Sequence, residues 1–369
     1  MCATKMKLKQ VINASGRMSI LGVSTLSNRV VHAMQEGAQH YYEMEELQRE
    51  AGKRIANYLD TESAMVTNSA SSAIVLAVAG LVTENNLYQI EHYLKVNQPK
   101  AHEFIIMMGH LVDYGAPVQT MIQLGGGKLK IVGYANGCSL DQIETAVTEQ
   151  TSGIFFVQSH HCVQKNMPSI EEVSKVAKRL RIPFIIDAAA EEVFSPYVKY
   201  ADLFIVSGSK AIAGPTSGIL AGKEKYVSYA MKHLRGIGRA MKIGKESIFG
   251  LIQAMAEYQE IDSDSAHKNQ WMILEKLKAL DELPGIKVAV NQDEAGRDIY
   301  RARIYVNNEI AVCSATQITQ ALKEGKVAIY TRDYQVNNGY FEIDPRPLKE
   351  EDIPVIIARM QQILASKKV

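Results

Sequence analysis

The sequence predicts an α/β fold built on a mostly parallel sheet with helices on both faces, followed by a smaller C-terminal α+β domain. Three observations carry that expectation. Apolar, strand-like runs alternate with helical patterns from residue 64 to residue 220. Residues 73–82 are apolar nearly all round, as a helix covered on every side must be. Beyond Pro284 the texture changes to short strands interleaved with two helices.

A chain of 369 residues is long enough to bury two cores. Its 41 basic and 40 acidic residues nearly cancel, so the composition offers no electrostatic grip on a nucleic-acid backbone. Cys2, Cys138, Cys162 and Cys313 include no C-x-x-C pair and read as thiols of a reducing compartment, with no metal site. No signal-peptide core and no run of 18 apolar residues is present, so a soluble, cytoplasmic protein without a membrane partner is expected.

Taken in order, residues 8–27 read as an irregular Gly/Ser-rich arm that packs against the protein, and a helix starts at Ser27-Asn28. The next helix, 44–59, carries Leu47, Ala51, Ile55 and Leu59 at four-residue spacing. A strand at 64–68 feeds Ser69-Ala-Ser-Ser72 and then the apolar helix. Strands follow at 103–110, 128–132, 153–161 and 182–187. A helix begins at Ser139, with a capping-box glutamine at Gln142, and the crossover helix runs from Ser169 to Leu180. After a basic, glycine-rich link at 236–245, residues 246–280 read as one long helix, with Trp271 packing between domains. The expected division is an arm and first helix (1–40), a large domain (41–250), a connecting helix (251–283) and a small domain (284–369). In that last part Arg301 and Arg303 share one strand face, and Arg332 and Arg346 lie in connections.

The chemistry centres on Lys210. It follows the buried strand 202–207, stands behind Ser207 and Ser209 and before a Gly-Pro turn, and has no carboxylate within seven residues. Asp187 ends the preceding strand 23 residues earlier, a spacing that brings both side chains to one sheet edge. Asn68, Ser69, Ala70, Ser71 and Ser72 place hydroxyls and free amides at a helix N-terminus, an anion site, although N-capping alone also explains the serines. His110 ends another strand, either beside the site as a ring contact or acid, or as a structural histidine. Lys242 and Lys245 meet an anionic ligand or are merely solvated. Lysine, aspartate, phosphate cup and histidine are the parts that pyridoxal phosphate requires: an amine for its aldehyde, a carboxylate for its ring nitrogen, and a seat for its phosphate.

Segment by segment the chain resembles the fold type I pyridoxal-phosphate enzymes, and within them the bacterial selenocysteine synthase group. The matching motifs are Val-Ile-Asn-Ala-Ser-Gly (11–16), Thr-Asn-Ser-Ala-Ser-Ser-Ala (67–73), Gly-His-Leu-Val-Asp-Tyr-Gly (109–115), Ile-Asp-Ala-Ala-Ala-Glu (186–191) and Ser-Gly-Ser-Lys-Ala-Ile-Ala-Gly-Pro-Thr-Ser-Gly (207–218). The likeness is good over about the first 240 residues and loose beyond. It implies Lys210 as the cofactor lysine, Asp187 as the ring-nitrogen partner, and a homodimer or larger homo-oligomer with shared active sites. Two departures weigh against selenium transfer: the near-neutral charge, and Met108-Gly-His110 where that group has Arg-Gly-Glu or Arg-Gly-Gln.

The chain is more similar to the D-glucosaminate-6-phosphate ammonia-lyase branch, through Asn-Ala-Ser-Gly-Arg-Met-Ser (13–19) and Ser-Gly-Ser-Lys-Ala (207–211). That branch implies a small phosphorylated 2-amino sugar acid as substrate, with His110 helping the C3 hydroxyl to leave. It also implies Arg17, Lys242, Arg332 and Arg346 as substrate-binding cations, Arg332 or Arg346 for the carboxylate. Selenium transfer, transamination and another β-elimination on the same fold stand as alternatives.

Overall fold

The computed structural model describes residues 6–93, 101–261, 263–294 and 296–366, so Cys2 lies outside the described residues. They form two compact units, one of residues 26–260, the other of the described residues up to 25 together with those from 261 on. The expected arm contributes a strand. In β1 (Val11–Ala14) the residues Ile12 and Ala14 turn inward, and β1 pairs in parallel with Ala328–Thr331. A partner so remote in sequence leaves no local signal.

The large unit contains β2 (Ser63–Thr67), β3 (Glu103–Met107), β4 (Lys128–Val132), β5 (Thr151–Val157), β6 (Phe184–Asp187), β7 (Leu203–Ser207) and β8 (Gly218–Gly222). They form one sheet in the order β2-β8-β7-β6-β5-β3-β4. Neighbours from β7 through β4 pair in parallel, and β8 alone runs against its neighbours β7 and β2. The carboxyl ends of β2, β3, β5, β6 and β7 therefore lie along one edge.

Alternate residues of each central strand enter opposite cores, as a period of two requires. Phe155, Ile185 and Leu203 pack with Ile74 and Leu76 of the helix Ala70–Thr83. Phe156, Ile186 and Phe204 join Ile55, Val173 and Leu251 of the helices Met44–Leu59, Ile170–Leu180 and Lys245–Glu260. Both faces of the sheet are covered, which is why these strands read as continuous apolar runs.

In the small unit β9 (Ile286–Gln292), β10 (Tyr300–Val306) and β12 (Tyr340–Ile343) form an antiparallel sheet, while β11 (Ala328–Thr331) holds β1. Helices Ala315–Glu324 and Asp352–Ala365 share a core with these strands through Ile318, Ile356, Ile304 and Phe341. The expected long connecting helix is two, Lys245–Glu260 and Ser263–Leu277, which fall in different units. Trp271 lies half exposed against the ring of Tyr300, centroids 5.1 Å apart, a contact inside the small unit. The architecture is that of fold type I. Among the described residues no helix is long and apolar enough to cross a membrane.

One glycine couples sheet to site. Gly218 opens β8 opposite both Thr67 and Ser207. A Cβ there would stand 2.2 Å from the Ser69 carbonyl oxygen and 2.5 Å from the Ala70 nitrogen. Gly218→Ala should therefore destabilise the protein by about 1–3 kcal/mol, read by urea unfolding, and should weaken cofactor binding because the helix start is what moves.

Candidate active site

Asp187 is the last residue of β6, opposite Val157 of β5 and Ile205 of β7. Its carboxylate is buried and accepts the Ala189 N–H at 3.0 Å. Burial pushes its pKa up, while the Ala189 hydrogen bond and the charge of Lys210 pull it back. A carboxylate in that position is stable as an anion only beside a cationic donor, and a protonated pyridine nitrogen is such a donor.

Lys210 stands three residues past β7 on a tight turn. Its carbonyl accepts the Ala213 N–H at 3.0 Å, and the Gly208 carbonyl accepts the Gly214 N–H at 2.8 Å. Closing the turn puts Ala213 in the left-handed region at φ +53°. Ser207 and Ser209 are buried beneath it, their hydroxyls 3.3 Å apart.

The hydroxyl-rich helix start expected to form a phosphate cup is present at 68–72. Asn68 Oδ1 accepts from the hydroxyls of Ser72 at 2.6 Å and Ser69 at 3.4 Å, and Ser69 Oγ accepts the Ser72 N–H at 3.1 Å. The first intrahelical bond runs from the Ala73 N–H, so the Ala70 and Ser71 amides stand ahead of it. Hydroxyls and amides gathered at the start of a 14-residue helix suit a phosphate dianion. Thr67 and Ser207 both face Gly218, which sets the cup and the lysine turn two strands apart, about 10 Å. Cup, carboxylate and lysine are the groups that pyridoxal phosphate requires, and they stand along one edge of one sheet.

The Asn68 N–H donates to the Met241 carbonyl at 3.3 Å, which places exposed Lys242 next to the cup. Lys245 is different. Its ammonium donates to the Gly37 and Ala38 carbonyls at 2.7 Å each, closing the end of the helix Asn28–Gln39.

His110 does not fill the role expected of it. It has no exposed surface, its ring meets Phe156 edge-on at 4.5 Å, and its Nδ1 accepts the Val157 N–H at 3.2 Å. Burial lowers its pKa to about 4, so near neutral pH it is a neutral imidazole whose one N–H, on Nε2, is buried without a hydrogen-bond partner among the described residues. The aromatic residue that does reach the cup is Tyr114, whose hydroxyl lies 3.3 Å from Ser71 Oγ. Burial raises the Tyr114 pKa, the Ser71 bond lowers it, and the charge of Asp187 raises it again. It sat unremarked in the 109–115 motif, four residues after the histidine. Cys162 donates to the Val157 carbonyl at 3.2 Å and, with its pKa raised to about 12 by burial and then by Asp187 and Glu191, is an inert thiol.

The other expected cations belong to the small unit. Arg17 follows β1, Arg332 follows β11, and the register Ala14 to Thr331 sets both at the same end of that strand pair. Arg346 is clasped by Asp344, Nε at 2.9 Å and Nη2 at 2.6 Å. Among the described residues no group of three metal-ligating side chains converges.

The family model for L-seryl-tRNA selenium transferase, SelA, matches residues 11–361. The chain belongs to the SelA family. Its cofactor is pyridoxal phosphate, consistent with the cup, Asp187 and Lys210. Within the SelA family it is 38% identical to the D-glucosaminate-6-phosphate ammonia lyase of Salmonella typhimurium, over 96% of both chains. It is also 32% identical to the 5'-C-glycyluridine monooxygenase-decarboxylase of a Streptomyces species, over 96% of this chain and 90% of that one. A solved structure of D-glucosaminate-6-phosphate ammonia-lyase superposes with a TM-score of 0.91 at 37% identity, covering 98% of this chain and 97% of the other.

The depressed His110 pKa has a stability consequence. Between the free value of 6.5 and about 4, the unfolded chain takes up a proton that the folded chain refuses. Stability is therefore full above pH 6.5 and falls as pH drops toward 4, by about 1.4 kcal/mol per pH unit for each such histidine. His233, also lowered to about 4 by burial, adds a second. Urea unfolding from pH 7 to pH 4.5 should show about two protons taken up, and His110→Gln should remove about one of them.

Proposed function

We propose that this SelA-family chain is a pyridoxal-phosphate-dependent ammonia-lyase that converts 2-amino-2-deoxy-D-gluconate 6-phosphate into 2-keto-3-deoxygluconate 6-phosphate and ammonia. The observation that carries the reading is 38% identity over nearly the full length to a D-glucosaminate-6-phosphate ammonia lyase, joined to the Lys210, Asp187 and Asn68–Ser72 constellation.

When bound, the cofactor supplies an aldehyde for the substrate amine and a protonated ring that draws electrons away from C2. Asp187 keeps the proton on the ring nitrogen, and its buried strand-end position makes that ion pair strong. Asn68 and the serines of the cup hold the cofactor phosphate, with the Lys242 charge close by. Lys210, freed from the aldehyde by the substrate amine, takes the C2 proton. A hydroxyl leaves slowly unless protonated, and with His110 buried and neutral the ammonium of Lys210 is the stronger acid to hand this proton to the C3 oxygen. Water lost from C3 is regained when the nitrogen is hydrolysed off the released product, so ammonia is the net loss.

Of the small unit's arginines, Arg332 is assigned to the substrate carboxylate because Arg346 already holds Asp344. A homo-oligomer with shared active sites accords with the family and with exposed Val31, Tyr41, Tyr42 and Met44 on the large unit.

Purified holoenzyme should release ammonia from the sugar acid phosphate with no keto-acid acceptor present, whereas acceptor dependence would make it an aminotransferase. Lys210→Ala should lose the visible absorbance of the lysine-bound cofactor together with turnover. Asp187→Asn should retain the cofactor yet eliminate at least about a hundredfold more slowly, and near-normal turnover would refute the ring-nitrogen assignment.

A further inference from the structure

Tyr114 is aimed by the loop that carries it. That loop follows β3 and turns back on itself between Val112 and Val118, both buried, where the Val118 N–H donates to the Val112 carbonyl at 3.0 Å. Inside the clasp Asp113 bridges to Pro117, and the Gly115 N–H donates to Asp113 Oδ1 at 2.7 Å. Gly115 takes φ +108°, which side-chain-bearing residues rarely adopt, and the Tyr114 N–H reaches the Ala116 carbonyl at 3.3 Å. A tyrosine between an aspartate turn and such a glycine has little backbone freedom. Its side chain is partly buried against the core layer that holds Ile74, Val112 and Val118, which brings the phenol to the start of the helix Ala70–Thr83.

There the Ser71 hydroxyl donates to the Tyr114 oxygen at 3.3 Å, across 43 residues of sequence. Hydroxyl pairs at full strength stand about 2.7–2.8 Å apart, so these two hold each other weakly. An oxygen lying between them can take a proton from both at ordinary distances. Neither hydroxyl is needed to cap the helix, because Ser69 Oγ accepts the Ser72 N–H at 3.1 Å. Burial first, and then the charges of Asp187 and Asp113, raise the phenol pKa against the pull of Ser71, so near neutral pH it meets an anion as a donor.

We infer that Tyr114 is a cofactor-binding residue, its hydroxyl and that of Ser71 forming a two-pronged clamp on one phosphate oxygen of pyridoxal phosphate. The loop 112–118 is then a structural part of the cup. The inference rests on the assignment of Asn68–Ser72 to the cofactor phosphate and makes no use of the reaction.

The test compares two ligands of the full-length protein freed of cofactor, pyridoxal phosphate and pyridoxal, each titrated until the visible absorbance of the lysine-bound form saturates. Tyr114→Phe should weaken pyridoxal phosphate about tenfold or more and leave pyridoxal within about twofold of wild type, because only the first carries the phosphate. Unchanged affinity for pyridoxal phosphate, or an equal loss for both ligands, would overturn the inference. Gly115→Ala has open space around its new Cβ but an unfavourable backbone angle. It should lower the same phosphate preference while keeping the phenol, and a preference as high as that of wild type would overturn the loop's part. Asn68→Ala keeps the two assignments apart. If it loses the preference and Tyr114→Phe retains it, the cup stands and the tyrosine does not belong to it; if neither loses it, the phosphate lies elsewhere and both fall. Substrate is absent throughout, so failure of the proposed elimination would leave these outcomes untouched.

Discussion

The large unit depends on keeping one negative charge in a place that disfavours it. Asp187 lies where three parallel strands end, between two apolar layers, and burial pushes its pKa up. The Ala189 hydrogen bond and the charge of Lys210 pull it back down, and in the proposed reaction a protonated ring nitrogen would add a second positive charge. The sheet order, the tight turn after β7 and the glycine at the start of β8 all act to hold that charge, the lysine and the phosphate cup at fixed separations. Loosening any of them would shift these groups relative to one another.

Much of this was legible because its signals are local. A strand ending in aspartate, a lysine in a Gly/Ser/Pro turn and four small or hydroxyl residues before an apolar helix each announce themselves within ten residues. The helix caps at Ser27, Ser69, Ser139 and Ser169 are legible for the same reason. His110 shows the limit. Its chemical type suits the site, but whether it can act depends on Phe156 and the Val157 amide, more than forty residues away. Tyr114 lay in the same motif and was passed over because a tyrosine in a loop carries no spacing signal, and its meaning comes from Ser71.

Lysines and arginines were the least legible. Lys242 and Lys245 are three residues apart in one basic link, yet one stands beside the cup and the other caps a helix. Arg332 and Arg346 looked equivalent until Asp344 claimed one of them. A side chain long enough to reach many partners is defined by the partner it finds, and those partners here are supplied by tertiary structure.

The β1 and β11 pairing bears on how the chain is made. Val11 waits for Ala328, and at about 5–20 residues per second a ribosome needs roughly 15 to 60 seconds to bring that partner out. During synthesis the large unit can fold around its own sheet, whereas the leading strand has no edge to join until nearly everything else has emerged. An exposed, half-apolar strand held that long is an opening for chaperones and for mispairing with a neighbouring nascent chain. The last unit to assemble is also the one that carries Arg17 and Arg332.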